Sequence, residues 1–352
     1  MKKIMAMLLA LCMIFALCAC GGTTSQKPEE KPAAESSETP AETNAPLMKE
    51  PLTLKFCCSE SADTSYVIIM NEAFDRITEA TNGEIKFESY PSNQLGTIAD
   101  TLEQMRGGAP MIVSSGFSEI ADIASQKFLV TALPYVFEDM SEILTLAHTD
   151  WIKDINADVE AAGMEPLCYG TQGYRHFIST KPINDASSIK GMIVRMGPSA
   201  TSQNFITVMN GTPTTSTWSD NYSLLQTGVI DACEANLELM YNSSLYEVCD
   251  YLSLSGHLAS PFMCTMNLSI WQSIPEEYQE IIKAELDAAT YEIYEACVEN
   301  ETKFVEKYKE TGIEIIEPDK SSFAAYVPAL IEYMGYDVEN YNDLREVIES
   351  AK

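Results

Sequence analysis

Residues 52–113 read LTLKFCCSESADTSYVIIMNEAFDRITEATNGEIKFESYPSNQLGTIADTLEQMRGGAPMIV, and the order of their periodicities decides the fold class. Leu52, Leu54 and Phe56 alternate with polar residues as a half-buried strand does, whereas Tyr66, Ile69, Met70, Phe74, Ile77 and Ala80 recur at helical spacing. Asn82-Gly83 ends that helix, because both residue types tolerate the left-handed backbone that closes a last turn. Ile85 and Phe87 open a second strand, Pro91–Gly96 is a polar loop, and Ile98, Leu102 and Met105 mark one face of a second helix ending at Gly107-Gly108. Met111-Ile112-Val113 is a third strand. Repeated βα alternation predicts α/β sheets, with ligands at the carboxyl ends of the strands.

The same rhythm resumes at Met164–Tyr169, Phe177-Ile178 and Met192–Met196, and again around Val229–Cys233, which fits two α/β lobes better than one. A long polar-apolar stretch then runs from Pro275 to Thr311. Pro275 with Glu276 and Glu277 is an N-terminal helix signal, and Gly312 supplies the stop. At 1.5 Å per residue such a helix reaches roughly 50 Å, enough to cross both lobes.

The N-terminus reads as an address. Lys2 and Lys3 precede an apolar run from Ile4 to Leu17, too short to span a bilayer comfortably but suited to a secretory signal. Leu17-Cys18-Ala19-Cys20-Gly21-Gly22 resembles the lipobox of bacterial lipoproteins, in which the last Cys is acylated; Cys18 departs from the usual small residue. We therefore expect a signal peptide at 1–19 and lipidation of Cys20. Residues 20–51 are rich in Pro, Ala, Glu, Ser and Thr, cannot support a core, and are expected to be a flexible tether.

Charge and composition exclude several classes. Of 352 residues, 22 are Lys or Arg and 52 are Asp or Glu, a formal net charge of −30 that becomes 20 − 52 = −32 once the two signal lysines leave. Nucleic acid is not an expected partner, since phosphates need a basic stripe. A membrane contact would need the lipid rather than basic residues. Three histidines, no CxxC…CxxC pairing, and no GxGxxG, Walker A, HExxH or GxSxG motif weigh against zinc, nucleotide and hydrolase sites, and no cofactor is expected. The seven cysteines beyond the lipobox, Cys57, Cys58, Cys168, Cys233, Cys249, Cys264 and Cys297, lie mostly in apolar stretches and read as buried free thiols.

Only five arginines occur: Arg76, Arg106, Arg175, Arg195 and Arg345. Arg76 and Arg106 fall on amphipathic helices and Arg345 near the C-terminus, where solvated ion pairs are expected. Arg175 begins a strand after Gly170-Thr171-Gln172-Gly173-Tyr174, and Arg195 ends the strand Gly191–Arg195. A guanidinium at such a strand end can clamp a carboxylate with two parallel hydrogen bonds, or can serve an ordinary structural salt bridge.

The block Gly173–Ile183 (GYRHFISTKPI), followed by Ile189–Arg195 (IKGMIVR), resembles the solute-binding proteins of tripartite ATP-independent periplasmic (TRAP) transporters. Ser92–Gly96 resembles that family's GQLG loop, Leu133–Phe137 its LPYLF-like segment, and Gly211–Thr214 through Trp218–Tyr222, Leu225–Asp231 and Glu234 its central binding block. Trp271 before Ile274-Pro275-Glu276 resembles the start of its long helix. The resemblance runs over about residues 52–312. It implies a two-lobed periplasmic-binding-protein-like fold with hinge strands and a long helix spanning both lobes, which closes on a small organic acid, passes it to membrane permease subunits and is not an enzyme. We expect one lobe from 52–172 plus 261–300 and the other from 173–260 plus 301–352.

Carried over by position, Arg195 matches the arginine that grips the carboxylate, Arg175 a second ligand-contacting arginine, Asn236 a ligand-binding amide, and Trp218 an aromatic or acidic side chain against the solute. Ala232, where Gly is usual, and Asp220-Asn221, where Glu and an apolar residue are commoner, depart from the pattern. Other roles stay open: Trp218 can plug the core, Asn236 can cap the following helix, and Glu234 can touch ligand but is given no metal role. Gln94, Ser114, Ser115 and Phe117 follow first-lobe strands and are candidates to complete the pocket. A binding lipoprotein of an ABC transporter or a sensor would share signal, tether and lobes; an exported enzyme would need a nucleophile, metal or cofactor site not found here.

Overall fold

The computed structural model describes residues 46–352, so the expected signal peptide, Cys20 and the tether up to residue 45 lie outside the described residues. Strand and helix alternate from the start: β1 (Leu52–Cys57), α1 (Ser65–Ala80), β2 (Ile85–Tyr90), α2 (Ile98–Arg106), β3 (Met111–Gly116), α3 (Phe117–Ala121), α4 (Ser141–Ala147), α5 (Asp150–Ala161) and β4 (Met164–Thr171). The chain continues through β5 (Arg175–Ser179), β6 (Ile193–Arg195), α6 (Ala200–Val208), β7 (Thr212–Thr214), α7 (Asn221–Gln226), β8 (Ala232–Ala235), α8 (Leu237–Asn242) and β9 (Tyr251–Leu258). It ends with β10 (Pro261–Asn267), α9 (Leu268–Trp271), α10 (Glu276–Thr311), β11 (Glu314–Ile316), α11 (Lys320–Ala324), α12 (Val327–Met334) and α13 (Val338–Ala351).

Two sheets result, one in the order β2-β1-β3-β10-β4 and one in the order β11-β9-β5-β8-β6-β7. In the first, β1, β2 and β3 run parallel and β10 pairs antiparallel with β3 and β4. In the second, β6 lies parallel to both β7 and β8, while β5 runs antiparallel to β8 and β9. The chain passes between sheets at residues 172–174 and at 259–260, and α10 makes a third crossing. This is the expected two-lobed α/β architecture with a long helix. The expected strand at Val229–Cys233 starts later, at Ala232, because Gly228 (φ 71°) closes α7 and the next residues are used in turning back; Val229 is exposed.

The long helix shows why it can join two lobes. Tyr278, Ile282, Leu286, Ala289 and Ile293 are buried at three- and four-residue spacing against α1 and β4, then Phe304 and Tyr308 are buried against the second sheet's helix α8. Between Ile293 and Phe304, at the crossing, Tyr294 and Cys297 still pack on the apolar cluster but polar contacts join them: Asn300 reaches Ser65 and Glu238, and Glu301 lies 3.0 Å from His176. An apolar cluster continues from Val113 and Phe117 to Phe177, Val194 and Phe205, so the lobes share packed surface. All seven described cysteines are free, six of them buried and Cys297 half-buried.

Three expectations are corrected here. The tether does not extend freely to residue 51, because the Leu47 and Met48 backbone N–H groups donate to the Glu84 carboxylate at 3.1 and 2.6 Å, and Tyr278 Oη donates to it at 2.8 Å. Helix α13, expected with the second lobe as part of 301–352, packs on α4 of the first. Arg345 on that helix is not a solvated pair: its side chain is 17% exposed and donates to Glu142 (2.8 Å) and to the Val136 carbonyl (2.7 Å). Glu142 is a buried carboxylate that Lys352 also reaches at 2.8 Å, so the C-terminus is fixed by neutralising an acid that the fold has taken out of water.

Candidate functional site

The register of the second sheet brings together the polar residues that the sequence scatters over sixty positions. Arg195 at the carboxyl end of β6 is paired with Cys233 on β8, and Phe177 on β5 is paired with Glu234, so Arg195, Glu234 and Arg175 meet at one edge of the sheet. Glu234 is buried and accepts from Arg175 Nε, from Arg175 Nη2 at 2.8 Å, and through its main-chain oxygen from Nη2 at 2.9 Å. Its burial works to raise the carboxyl pKa, but the Arg175 charge and bonds, with His257 at 3.6 Å, hold it down at about 2. Burial lowers the pKa of His257 from the ordinary imidazole value, opposed by Glu234; its Nδ1 meets Ser255 Oγ at 2.9 Å. The fork of Arg175 is therefore largely occupied by Glu234, and only its Nη1 end lacks a partner among the described residues.

Arg195 is placed differently. It is 8% exposed, its Nη2 donates to the Ser216 carbonyl at 2.7 Å, and its Nε has no partner. No carboxylate lies within ion-pair distance of it among the described residues. Burial lowers its pKa, opposed by Glu234, with Arg175 adding to the lowering. Trp218 lies under the guanidinium, 5.4 Å from the ring centroid, and its indole N–H donates to Ser243 Oγ at 2.8 Å. Half-buried rather than a core plug, Trp218 presents an aromatic face beside the free edge of the fork. Asn236 serves as the N-cap of α8, accepting from Leu239 N–H at 2.8 Å, and donates to the Gln172 carbonyl at 3.1 Å; one amide hydrogen remains.

The first sheet contributes the carboxyl ends of β1, β2 and β3. Ser115, near the end of β3, is 3% exposed and its hydroxyl has no partner, whereas Ser114 accepts from Tyr66 Oη at 2.6 Å. Gln94 is exposed, in a loop tied to the β1 exit by Ser92 N–H to the Glu60 carbonyl (2.8 Å) and Asn93 N–H to the Cys58 carbonyl (3.0 Å). Phe117 is 2% exposed and packs on Phe128 and Tyr169 with centroids at 5.0 and 5.7 Å; it belongs to the core, where the helix that follows β3 turns its first side chain inward. A cavity of about 800 Å3 lies beside β6 and β7, lined by Thr212–Thr217, Leu224 and Ile230, and Arg195 is not among its lining residues.

Sequence reasoning did not find Glu60, Glu119, His257 or the contact between lobes made by Glu238. The Glu238 carboxylate accepts from Ser65 N–H at 3.1 Å and Ser65 Oγ at 2.9 Å, filling the uncapped first turn of α1 from the opposite lobe. Glu60, Glu119 and Glu238 sit in a loop or in first helical turns just after a strand, where no periodicity marks them, and His257 lies within β9, whose strand pattern says nothing of its role.

The second sheet thus holds a buried guanidinium without an ion-pair partner among the described residues, beside a neutralised ion pair. The family described as "Bacterial extracellular solute-binding protein, family 7" (DctP) matches residues 59–336, and the chain belongs to this family, the solute-binding proteins of TRAP transporters. It is 25% identical over 275 residues to the 2,3-diketo-L-gulonate-binding periplasmic protein YiaO of Escherichia coli, covering 77% of this chain and 83% of the relative. It is 24% identical over 270 residues to the C4-dicarboxylate-binding periplasmic protein DctP of Rhodobacter capsulatus, covering 76% and 81%. The solved structure of a TRAP periplasmic solute-binding protein from Actinobacillus succinogenes with bound L-galactonate superimposes with a TM-score of 0.80 at 25% identity, covering 85% of this chain and 99% of the other. The family is one of extracytoplasmic solute binders rather than enzymes, and among the described residues no helix is long and apolar enough to cross a membrane.

Proposed function

We propose that this protein is an extracytoplasmic lipoprotein that captures a small organic acid by its carboxylate and delivers it to the membrane permease of a TRAP transporter. The observation that carries the reading is Arg195: a guanidinium 8% exposed that has, among the described residues, no ion-pair partner and an unpartnered Nε. A buried charge left unpaired is costly, and a carboxylate entering against the fork relieves that cost with parallel charge-assisted hydrogen bonds. Arg175, held by Glu234, and the ring of Trp218 flank it, and the Asn236 amide hydrogen, Ser115 and Gln94 are the remaining polar groups proposed to meet the solute. Closure follows from contacts made with both lobes at once. The ligands printed for the three relatives above, a diketogulonate, a four-carbon dicarboxylate and an aldonate, are carboxylates, which supports the class without naming the acid, while two other structures of the same fold are printed with glycerol phosphates, anions that a guanidinium also holds.

A thermal-shift screen of such acids tests the reading, since a ligand at 100 times its Kd stabilises by about 2.7 kcal/mol. A stabilising acid whose effect vanishes in Arg195→Ala is expected; stabilisation retained in that variant overturns the site. The anchor rests on Cys20: Cys20→Ser should release the protein from membranes or block its maturation, and unchanged retention and electrophoretic mobility would remove the lipoprotein part of the proposal.

A further inference from the structure

The sheet of the first lobe sets two thiols against one another. Cys264 on β10 stands directly opposite Cys168 on β4 in an antiparallel pairing. Their neighbours Met263 and Tyr169, also opposite one another, are buried in the cluster that holds Phe117 and Phe177, whereas both cysteines are buried in the cluster on the other face, with Phe56, Phe262 and Ile282. The two thiols therefore share one face of the sheet. Directly opposite residues of antiparallel strands have Cα atoms about 4.5–5.5 Å apart, inside the span of about 4.4–6.8 Å that a disulfide bridges. Cys168 is 5% exposed and Cys264 is fully buried. A hydrogen bond with the Cys264 thiol, with burial added, pushes the Cys168 thiol well above its ordinary pKa.

No other pair of described cysteines is so placed. Cys58 shares the cluster but leaves β1, which β3 separates from β10, so two inter-strand spacings of about 4.8 Å each keep it from Cys264. Cys57 is buried in the cluster on the opposite face. Cys233 on β8 and Cys249 before β9 belong to the second sheet, where β5 lies between those strands. Cys297 on α10 is half-buried, and its thiol donates to the Thr171 carbonyl at 3.8 Å. The place of the facing pair also matters. Strand β4 runs into the crossing at 172–174 and β10 leaves the crossing at 259–260, with Cys168 and Cys264 each four residues from the nearer end of its crossing.

We propose that Cys168 and Cys264 are a disulfide site, closed while the chain folds outside the cytoplasm, which staples β4 to β10 at the base of two of the three crossings between the lobes. Two S–H bonds break and one S–S bond forms, and the two protons and two electrons pass to a donor disulfide, that of a thiol–disulfide oxidoreductase or a small molecule, which leaves as two thiols. The family works outside the cytoplasm, where such bonds persist. In the folded protein both thiols are buried and their thiolates disfavoured, so exchange with an added oxidant is slow and the bond belongs to folding. The bridge closes a long loop that carries most of the second sheet, so it restricts the unfolded chain far more than the folded one.

The mature chain carrying Cys20→Ser, made once by export into a bacterial periplasm and once in a reducing cytosol, tests this. Each preparation is denatured in an alkylating agent without reductant and mapped by mass spectrometry. The exported protein should show Cys168 joined to Cys264, with Cys57, Cys58, Cys233, Cys249 and Cys297 alkylated, and the cytosolic protein should show all seven alkylated. The exported protein should also melt at least about 3 °C higher. In Cys264→Ala, whose small apolar side chain suits the same cluster, Cys168 should be alkylated from both sources and the difference in melting temperature should vanish. Seven alkylated cysteines in the exported protein, a bridge through any other cysteine, or a bridged pair with no gain in melting temperature would each overturn the proposal. The carboxylate reading of Arg195 stands or falls separately, on binding.

Discussion

Arg195 and Arg175 are the same side chain twenty residues apart, and what separates their roles is the partner that each has found. Arg175 is closed by Glu234, while Arg195 is buried with part of its fork open. Lysine keeps the charge but loses the planar fork, so Arg195→Lys should bind the identified acid far more weakly, and Arg195→Ala should lose about 2–5 kcal/mol of binding, with melting temperatures near wild type. Calorimetry giving similar affinities for all three proteins would refute the assignment. Glu234 makes a stability prediction. Its carboxyl titrates near 2 in the fold against an ordinary 4.5, so its contribution is complete above pH 4.5 and is lost as the pH falls toward 2. The difference corresponds to about 3 kcal/mol, which Glu234→Gln should remove at pH 7 and leave nearly unaffected at pH 2, read from denaturant unfolding at the two pH values. Glu60 and Glu119, whose pKa values are raised, act with the opposite sign and ease as the pH drops.

Among the elements, α10 carries the most distant consequences. Its last turn closes at Gly312 with φ 85°, a conformation in which a Cβ is strained even where space is open. Gly312→Ala should therefore cost about 1 kcal/mol, visible as a lowered urea midpoint with unchanged ligand affinity. Gly170 on β4 is constrained by packing instead, since a Cβ there would lie 2.6 Å from the Phe262 ring on β10. Arg76 joins α1 to α10 through Glu285 at 2.6 Å and Glu292 at 3.2 Å, half-exposed on both sides. Arg76→Ala should cost at most about 1 kcal/mol of stability and nothing in binding, which makes it the control for Arg195.

At the scale of the whole molecule, the lobes meet at Ser65, Glu238 and Asn300, where a carboxylate of one lobe satisfies the helix start of the other. Tyr135 N–H adds a bond to the His257 carbonyl at 2.9 Å. Such contacts exist only when the lobes are together, so they add to the ligand's own preference for the closed state. Glu238→Ala, which removes the acceptor for Ser65 N–H, Ser65 Oγ and Asn300, should raise the ligand dissociation rate at least about tenfold with Arg195 intact. Scattering should report a more compact wild type with saturating ligand than without, and a smaller change in the variant; identical profiles throughout would count against closure.

Local chemistry wrote the elements into the sequence: alternation at Leu52–Phe56, helical spacing from Tyr66 to Ala80, and Pro275 and Gly312 bracketing the long helix each act within a few residues, so they are legible without a fold. The scarcity of arginine and the blocks around Arg175 and Arg195 singled out, for the same reason, two side chains that the second sheet brings to one edge. Tertiary structure alone decided which arginine is neutralised, because Glu234 reaches Arg175 through the β5–β8 register, a pairing across fifty-nine positions. It also placed Phe117 in the core and sent α13 to the first lobe. Charge and burial at a cleft are properties of what the chain brings together from far apart, and periodicity carries no record of that.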